Sequence, residues 1–187
     1  MATAEEMING AKDKMVKSVE HARTEFSTVR TGRASASLLD RIEVDYYGTA
    51  TPLRQLSTIN VPEPRMLTVQ PFDPSSIKSI EKAIQESDLG LTPSNDGKLI
   101  RLQIPQLTEE RRKQLVKVVG KLAEEGRVAV RNVRRDAIHH MKESEKKGEV
   151  SWDDLHRAEE QVQKLTDEHV KLIDELLKHK EAEILEV

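Results

Sequence analysis

The sequence predicts an α+β protein in which a long three-helix bundle carries a small α/β domain inserted between its first and second helices. Charged residues make up 34% and hydrophobic residues 36% of the 187 residues. This is less core material than an average globular chain has, and it favours long helices that face solvent. Apolar residues recur in steps of three and four over three long segments, as one buried helix face requires. Six of the seven prolines fall between the first two segments, and Pro105 lies at the far edge of that interval.

The first helix is expected to begin at an N-cap formed by Thr3 and to end near Gly32. Hydroxyl side chains cap helix N-termini, and glycine readily adopts the left-handed conformation that follows many helices. One narrow apolar face cannot stabilise a helix alone, so later parts of the chain must cover it. The predicted face contains Ile8, Ala11, Met15, Val19, Ala22, Phe26 and Val29.

Residues 33–106 contain short β-favouring runs separated by turn residues. Asp73 followed by Pro74 predicts the start of a helix that Gly90 closes. A segment of about 70 residues is large enough to form a small domain. The helix face contains Ile77, Ile80 and Ile84, and the predicted strands cover residues 42–47, 58–61, 66–69 and 99–104.

Helical periodicity then returns and persists to the end of the chain. The second helix is expected to start after Thr108 and to reach about Lys147. A third helix begins at Ser151, which together with Asp154 resembles a capping box. The stripe predicted for the second helix contains Leu115, Val118, Leu122, Gly126, Ala129, Val133, Ala137 and Met141. The stripe predicted for the third contains Leu155, Ala158, Val162, Leu165, His169, Leu172, Leu176 and Ile184.

The order of these segments predicts two domains. Residues 1–30 and 106–187 form the three-helix bundle, and residues 31–105 form the inserted domain. The chain therefore crosses the boundary twice, with a glycine in one crossing. Such a connection suits a hinge, although two strands of chain can equally be rigid. The candidate hinge residues are Thr31, Gly32, Arg33, Ile104, Pro105 and Gln106.

The formal net charge of −3 conceals one strongly basic segment. Residues 111–135 carry nine Lys or Arg against two Glu, whereas residues 136–187 carry eight bases and 15 acids. On a helix, the bases are expected to lie opposite the apolar stripe and to face solvent. The candidate binding residues of this face are Lys113, Lys117, Arg127, Arg131, Arg134 and Arg135.

A concentrated basic face indicates an anionic partner. Guanidinium groups match pairs of phosphate oxygens, and the segment lacks aromatic residues that could stack on bases. These features favour recognition of the backbone or shape of folded RNA. The other interpretation is a solvated face whose charge is balanced by acids of neighbouring helices.

The sequence offers no catalytic or metal site. The absence of cysteine excludes disulfides, thiolate metal sites and cysteine nucleophiles. No two of the six histidines are four residues apart, and no phosphate-binding loop or dinucleotide fingerprint is present. His169 is interpreted as a core histidine, and the pair Tyr46 and Tyr47 as strand packing. We therefore expect no enzyme activity, no cofactor and no metal.

The chain also lacks signals for membranes or export. No apolar run approaches the roughly 18 residues of a membrane-spanning helix. The N-terminal residues lack the apolar core of a signal peptide, and their acids argue against a transit peptide. The expected location is the cytoplasm.

Several motifs resemble those of the bacterial ribosome recycling factors. They occur in order over essentially the whole chain and are highly specific together. They are VRTGRA at 29–34, DYYGT at 45–49 with TPL at 51–53, SDLGL at 87–91, LTEERR at 107–112, VRNVRR at 130–135 and KHKE at 178–181.

The resemblance implies an L-shaped molecule whose two domains are joined by a two-stranded hinge. It also implies that the factor binds the post-termination 70S ribosome and, with elongation factor G, splits it into subunits. The partner hydrolyses GTP, and the smaller domain receives its push. In the family, arginines of the long basic helix contact large-subunit ribosomal RNA. Carried over, these are Arg131 and Arg134, with Arg127 and Arg135 beside them and Arg30 as a further RNA contact. No membrane partner is implied, and a self-contained bundle is expected to be a monomer.

The residues alone leave other function classes open. A general RNA-binding or RNA-chaperone protein would use the same helix and bind many structured RNAs equally. A structural adaptor would pair its apolar stripes with another chain and form a dimer or larger assembly. An enzyme is the weakest alternative, because no nucleophile, metal set or cofactor loop supports it.

Overall fold

The computed structural model describes residues 2–186, and within it the chain divides into two compact units. One unit combines the chain up to Thr31 with the chain from Glu109 onward, and the other spans Gly32–Thr108. The first contains three long helices, and the second contains short helices and all six strands that are described. The predicted α+β fold class is confirmed.

Three helices form the larger unit, and each packs against the other two. They are α1 at Ala4–Ser27, α4 at Glu109–Lys146 and α5 at Trp152–Leu185. Thr3 caps α1 in a capping box, because its hydroxyl accepts from the Glu6 N–H at 3.1 Å and the Glu6 carboxylate accepts from the Thr3 N–H at 3.0 Å. Ser151 caps α5 by accepting from the Asp154 N–H at 3.1 Å. Both predicted N-caps are therefore present.

The predicted apolar face of α1 largely matches the buried one, which contains Ala11, Met15, Val19, Ala22 and Phe26. The stripe predicted for α4 is correct at Leu115, Gly126 and Met141, which are buried, but is rotated away from the buried face elsewhere. The structure buries Val119, Ala123 and Val130 and leaves Val118 44% exposed. The centre of the buried face is turned by about 40° from that of the predicted one at 3.6 residues per turn. The cause is that α4 packs against both α1 and α5, so its buried face lies between its two neighbours.

A smaller deviation of the same kind occurs in α5. Thr166 and Ile173 are buried where Leu165 and Leu172 were predicted, and Leu172 is exposed. The Thr166 hydroxyl donates to the carbonyl of Val162 at 2.7 Å, which satisfies a polar group inside the bundle. His169 is buried, as predicted, and its Nδ1 lies 2.6 Å from the carbonyl oxygen of Leu165.

The smaller unit is built from two antiparallel sheets, two short α-helices, and two 3-10 helices at Ala36–Leu39 and Pro74–Ser76. Strands β1 (Glu43–Tyr46) and β2 (Thr49–Pro52) form a hairpin, followed by the single turn α2 (Leu53–Leu56). The second sheet has the order β3-β4-β6-β5. Its strands are β3 (Ser57–Glu63), β4 (Met66–Pro71), β5 (Pro93–Asn95) and β6 (Ile100–Gln103), and α3 (Ile77–Glu86) lies between β4 and β5 in sequence.

The core of this unit consists of aliphatic side chains from the sheets and α3. Asp73 caps the turn that leads into α3, as predicted, by accepting from the Ser75 N–H at 3.0 Å. The helix ends at Glu86, four residues before the predicted stop at Gly90. Strands β2 and β5 were not predicted, because they are short and depend on pairing with β1 and β6. No helix between residues 2 and 186 is both long and apolar enough to cross a bilayer.

Candidate nucleic-acid interface

The basic residues of α4 recur at intervals that place them along one side of the helix. Lys113 and Lys117 are four residues apart, as are Arg127 and Arg131, and Arg135 continues that row. Because the buried face is turned from the predicted one, these bases are not all opposite the core. Those nearest the core contact neighbouring helices, and the rest face solvent.

Arg127 is the most buried of the candidate arginines, with 20% of its side chain exposed. Its Nε donates to Asp174 Oδ1 of α5 at 2.7 Å, and its Nη1 donates to Glu124 Oε2 at 3.1 Å. Burial favours a lower pKa for Arg127, but the hydrogen bonds and charges of these two carboxylates outweigh it and raise the pKa. The guanidinium is thus held between two acids and links α4 to α5.

Arg134 also bonds to α5, whereas the carboxylate nearest to Arg131 belongs to α4 itself. The Nη1 of Arg134 donates to Gln163 Oε1 of α5 at 2.9 Å, and the Gln163 amide in turn donates to Asp167. Arg131 is 43% exposed, and its nearest carboxylate oxygen, on Glu124, is 3.7 Å from Nη1. The prediction that all these bases point away from the bundle is therefore wrong for Arg127 and Arg134, because α5 covers that edge of α4. It holds for Arg131.

The remaining bases of the face are exposed. Lys113 lies 3.8 Å from Glu109, but both side chains are largely in solvent, where such a pair contributes little. The side chains of Lys117, Lys121 and Arg135 form no hydrogen bond or ion pair with any residue between positions 2 and 186. Lys121 was missed in the sequence, although it lies one helical turn beyond Lys117.

We define the basic face as Lys113, Lys117, Lys121, Arg131 and Arg135. Four of these cations are exposed and Arg131 is partly exposed, and all five lie on one helix. Among the described residues, a carboxylate lies within 4 Å only of Lys113 and Arg131, at 3.8 and 3.7 Å. A cation without a protein partner remains available for a phosphate oxygen. The arrangement suits an extended polyanion better than a small ligand, because it follows the helix instead of surrounding a cavity.

Arg30, Thr31 and Gly32 lie near the first crossing between the units. Arg30 is exposed, and its side chain forms no hydrogen bond or ion pair with the described residues, so it remains available to an anion. Thr31 ends the first unit and Gly32 begins the second, with φ of 76°. A Cβ at Gly32 would come within 3.0 Å of Leu107, so a larger residue would be crowded there.

The second crossing lies later than the candidate hinge residues Ile104, Pro105 and Gln106. The chain leaves the smaller unit between Thr108 and Glu109. Ile104 is buried in the core of that unit, and its N–H donates to the carbonyl of Arg65 at 2.8 Å. Ile104 is therefore fixed within the smaller unit.

A groove of about 520 Å³ lies between α1 and α4. Lys17, His21, Glu25 and Glu125 line it, so both signs of charge are present. Gly126 forms part of its floor, where an added Cβ would meet Ile173 at 3.1 Å and Ala22 at 3.3 Å. The glycine permits close helix packing, and the mixed charge makes the groove unlike an anion site. Within residues 2–186, no three His, Asp or Glu side chains are grouped so that they could hold a metal ion.

Comparisons with known proteins agree with the motifs. The family model described as "Ribosome recycling factor" matches residues 22–185. The ribosome-recycling factor of Synechocystis sp. is 59% identical over 176 residues, covering 94% of this chain and 97% of that protein.

Two solved structures are similar over nearly the whole chain. A solution structure of a ribosome recycling factor is 42% identical, has a TM-score of 0.76 and is matched over 100% of both chains. The second comes from models of the T. thermophilus ribosome recycling factor and E. coli elongation factor G bound to the E. coli post-termination complex. It is 47% identical with a TM-score of 0.65, and covers 98% of this chain and 100% of that one. The resemblance seen in the motifs is confirmed, and the chain belongs to the ribosome recycling factor family.

Proposed function

We propose that this protein binds the post-termination ribosome and, together with elongation factor G, splits it into subunits. The partner hydrolyses GTP, and this chain supplies binding energy and a mechanical element. The proposal takes its biochemical role from the family and from the similar structure in which a recycling factor and elongation factor G are bound to a post-termination complex. Under this proposal the protein is a translation factor and not itself an enzyme.

The observation that carries the proposal is the basic face of α4. The side chains of Lys117, Lys121 and Arg135 have no partner among residues 2–186, and those of Lys113 and Arg131 form only long ion pairs of 3.8 and 3.7 Å. Such cations suit a surface that binds the phosphates of ribosomal RNA. Arg131, Arg135, Lys113 and Lys117 are proposed as direct contacts with large-subunit ribosomal RNA.

Three further arginines complete the candidate set. Arg30 is proposed as an additional RNA contact. Arg127 and Arg134 already bond to α5, so we propose that they fix the edge of the face and offer RNA only their remaining N–H groups. Five N–H donors on each guanidinium make both roles compatible.

The two units fit a mechanism in which one binds and the other moves. We propose a bundle that contains the chain up to Thr31 and from Glu109 onward, an inserted domain at Gly32–Thr108, and a hinge with Thr31, Gly32 and Arg33 on one side. On the other side, Pro105 and Gln106 precede the crossing. The three helices bury their apolar faces against one another, which supports a monomer over an adaptor that pairs with a second chain.

Light scattering of purified post-termination ribosomes tests the function. Scattering is expected to fall when this protein, elongation factor G and GTP are all present, because the subunits separate. Omission of either protein or of GTP should leave the signal unchanged. Salt-sensitive ribosome binding without any fall in scattering would contradict splitting and leave an RNA-binding module with another role.

A further inference from the structure

Two uncharged residues, Val128 and Asn132, lie among the cations on the exposed side of α4. Val128 is 44% exposed, and it is two helical turns from both Lys121 and Arg135, so it lies on the same side of the helix as these cations. Asn132 is one turn beyond Val128. It is exposed, and its side chain forms no hydrogen bond with any residue between positions 2 and 186. The basic face therefore has an uncharged centre that the bundle does not use.

Neither residue favours the helix in which it lies. Valine loses rotamer freedom in a helix and the asparagine side chain competes for backbone hydrogen bonds, so both form helices less readily than Ala, Lys or Arg. At exposed positions packing does not decide the choice of residue, and strong helix formers are expected there. Val128 and Asn132 nevertheless occur well inside a helix of 38 residues. A local rule that is broken without a structural gain indicates a functional position.

The charge around Val128 and Asn132 is mostly positive. Residues 121–136 contain five Lys or Arg and three acids, which are Glu124, Glu125 and Asp136. Glu124 lies 3.1 Å from Arg127 and 3.7 Å from Arg131, so two guanidinium groups balance its charge. Glu125 lines the groove beside α1, and Asp136, three turns further along, lies on that same side of α4. An anionic partner can therefore approach the uncharged centre.

The uncharged centre offers chemistry that the cations lack. Lys and Arg side chains only donate hydrogen bonds, whereas the Asn132 amide both donates and accepts them. The ribose 2′-hydroxyl is likewise a donor and an acceptor, and the Val128 methyl groups match the C–H groups of the sugar. Helix α4 contains no Phe, Tyr or Trp that could stack on an unpaired base. The sugars of a folded RNA are thus the surface that this centre matches.

We propose that Val128 and Asn132 contact riboses, so that the basic face recognises the minor groove of an A-form RNA helix. That groove is wide and shallow and displays 2′-hydroxyls, whereas the A-form major groove is too deep and narrow for side chains to read. Lys121 and Arg135 are roughly 21 Å apart along the helix axis, which allows them to contact phosphates on the two sides of the groove. The inference rests on the proposed function, because the RNA is that of the ribosome.

Substitution of both residues separates RNA recognition from structure. Val128→Ala with Asn132→Ala places the best helix former at both positions, so the thermal midpoint should stay equal or rise. Affinity for vacant ribosomes, measured by sedimentation, should fall about tenfold, because an apolar contact and hydrogen bonds are lost. The slope of log affinity against log salt concentration should not change, since no phosphate contact is removed. An affinity within about twofold of the wild-type value, or a reduced slope, would overturn the proposal.

A second exposed valine provides the matched control. Val16 on α1 is 43% exposed, nearly the same as Val128, so Val16→Ala makes the same chemical change away from the basic face. It should leave ribosome affinity unchanged. Val128→Ile keeps an apolar, β-branched side chain and should retain nearly the full affinity. Equal losses of affinity in Val16→Ala and Val128→Ala would overturn the proposal, because the loss would then arise from the bundle and not from the RNA contact.

Hydroxyl-radical footprinting on ribosomes tests the sugar contacts directly, because the radicals cut RNA at riboses that are exposed to solvent. The wild-type protein should protect riboses on both strands of a helical segment of ribosomal RNA. At a saturating concentration, the double variant should leave some of these riboses unprotected. Identical footprints of the two proteins, or protection confined to single-stranded RNA, would overturn the proposal.

The two proposals fail in different ways. If the wild-type protein binds ribosomes without splitting them, the proposed function fails, and the affinities and footprints still decide the ribose contacts. If the wild-type protein splits ribosomes and the double variant binds them equally tightly, only the ribose contacts are refuted. If the wild-type protein does not bind ribosomes, both proposals are wrong.

Discussion

The basic face of α4 and the exposed aromatic residues Tyr47 and Phe72 of the smaller unit differ in chemistry but are alike in one respect. In the first, the side chains of Lys117, Lys121 and Arg135 have no partner among residues 2–186, and in the second the two residues are 81% and 67% exposed. Neither set is explained by the packing of its own unit. Cations without partners suit a polyanion, whereas the two rings carry no charge that would attract one. The comparison teaches that charge, and not exposure alone, indicates where an RNA partner binds.

Two arginines within α4 also differ in whether the fold uses them. Arg127 and Arg131 are one helical turn apart. Arg127 is held by Asp174 at 2.7 Å and Glu124 at 3.1 Å, whereas Arg131 has only Glu124, at 3.7 Å. One arginine mainly stabilises the bundle, and the other is available to a ligand. Charge in the sequence alone does not distinguish them, because the distinction depends on where α5 packs.

The largest expected effect comes from reversing charge on the basic face. Arg131→Glu together with Arg135→Glu should weaken ribosome binding about a hundredfold, since two phosphate contacts become repulsive. Sedimentation of the protein with vacant ribosomes measures this. Lys78→Glu with Lys82→Glu on α3 changes the net charge equally and should change binding less than about threefold. Equal losses from both pairs would refute a localised RNA-binding face.

A smaller effect is expected at Arg127, and on stability more than on binding. Arg127→Ala should lower the free energy of unfolding by about 1–2 kcal/mol, because it removes charge-assisted hydrogen bonds from a mostly buried side chain. Arg131→Ala should change it by less than about 0.5 kcal/mol. Urea unfolding followed by circular dichroism measures both. The double variant Arg127→Ala with Asp174→Ala tests this ion pair. Once Arg127 is removed, Asp174→Ala should lower the free energy of unfolding little further.

The smallest effect is expected from low pH on the stability of the smaller unit. The pKa values of Asp73 and Asp96 are lowered by hydrogen bonds, chiefly from Ser75 and from the N–H groups of Lys98 and Leu99. Both carboxylates bind protons more readily when unfolded, so they stabilise the fold above the ordinary value of 3.8. That contribution to stability is lost as the pH falls through the lowered pKa values of the folded state. Asp96→Asn should therefore reduce stability at pH 7 and have less effect at pH 2; an equal effect at both would contradict this origin.

Local chemistry made parts of the fold predictable. Thr3, Ser151 and Asp73 were recognised as caps because each one satisfies backbone N–H groups within three residues of itself. The rotation of α4 was not predictable in this way. Adjacent apolar residues such as Val118 and Val119 fit two neighbouring faces, and only the positions of two other helices select one of them.

The site was predicted in type but not in detail. A cluster of bases on α4 is visible in the sequence, whereas the bonds of Arg134 to Gln163 and of Arg127 to Asp174 join residues far apart in the chain. The prediction that Tyr46 and Tyr47 serve strand packing is wrong for Tyr47, which is 81% exposed in the turn between β1 and β2 with φ of 51°. A sequence does not reveal backbone dihedral angles, but Gly48 was an available signal, since a glycine in a hairpin turn indicates positive φ at its neighbour as well.

The salt dependence of ribosome binding tests the division between the two regions most directly. The slope of log affinity against log salt concentration is measured for the wild-type protein, for Arg131→Ala with Arg135→Ala, and for Tyr47→Asn. Removal of the two arginines should reduce the slope by roughly one for each phosphate that is no longer neutralised, and Tyr47→Asn should leave it unchanged. An unchanged slope without the arginines, or a reduced slope in Tyr47→Asn, would contradict the assignment of RNA binding to the basic face of α4.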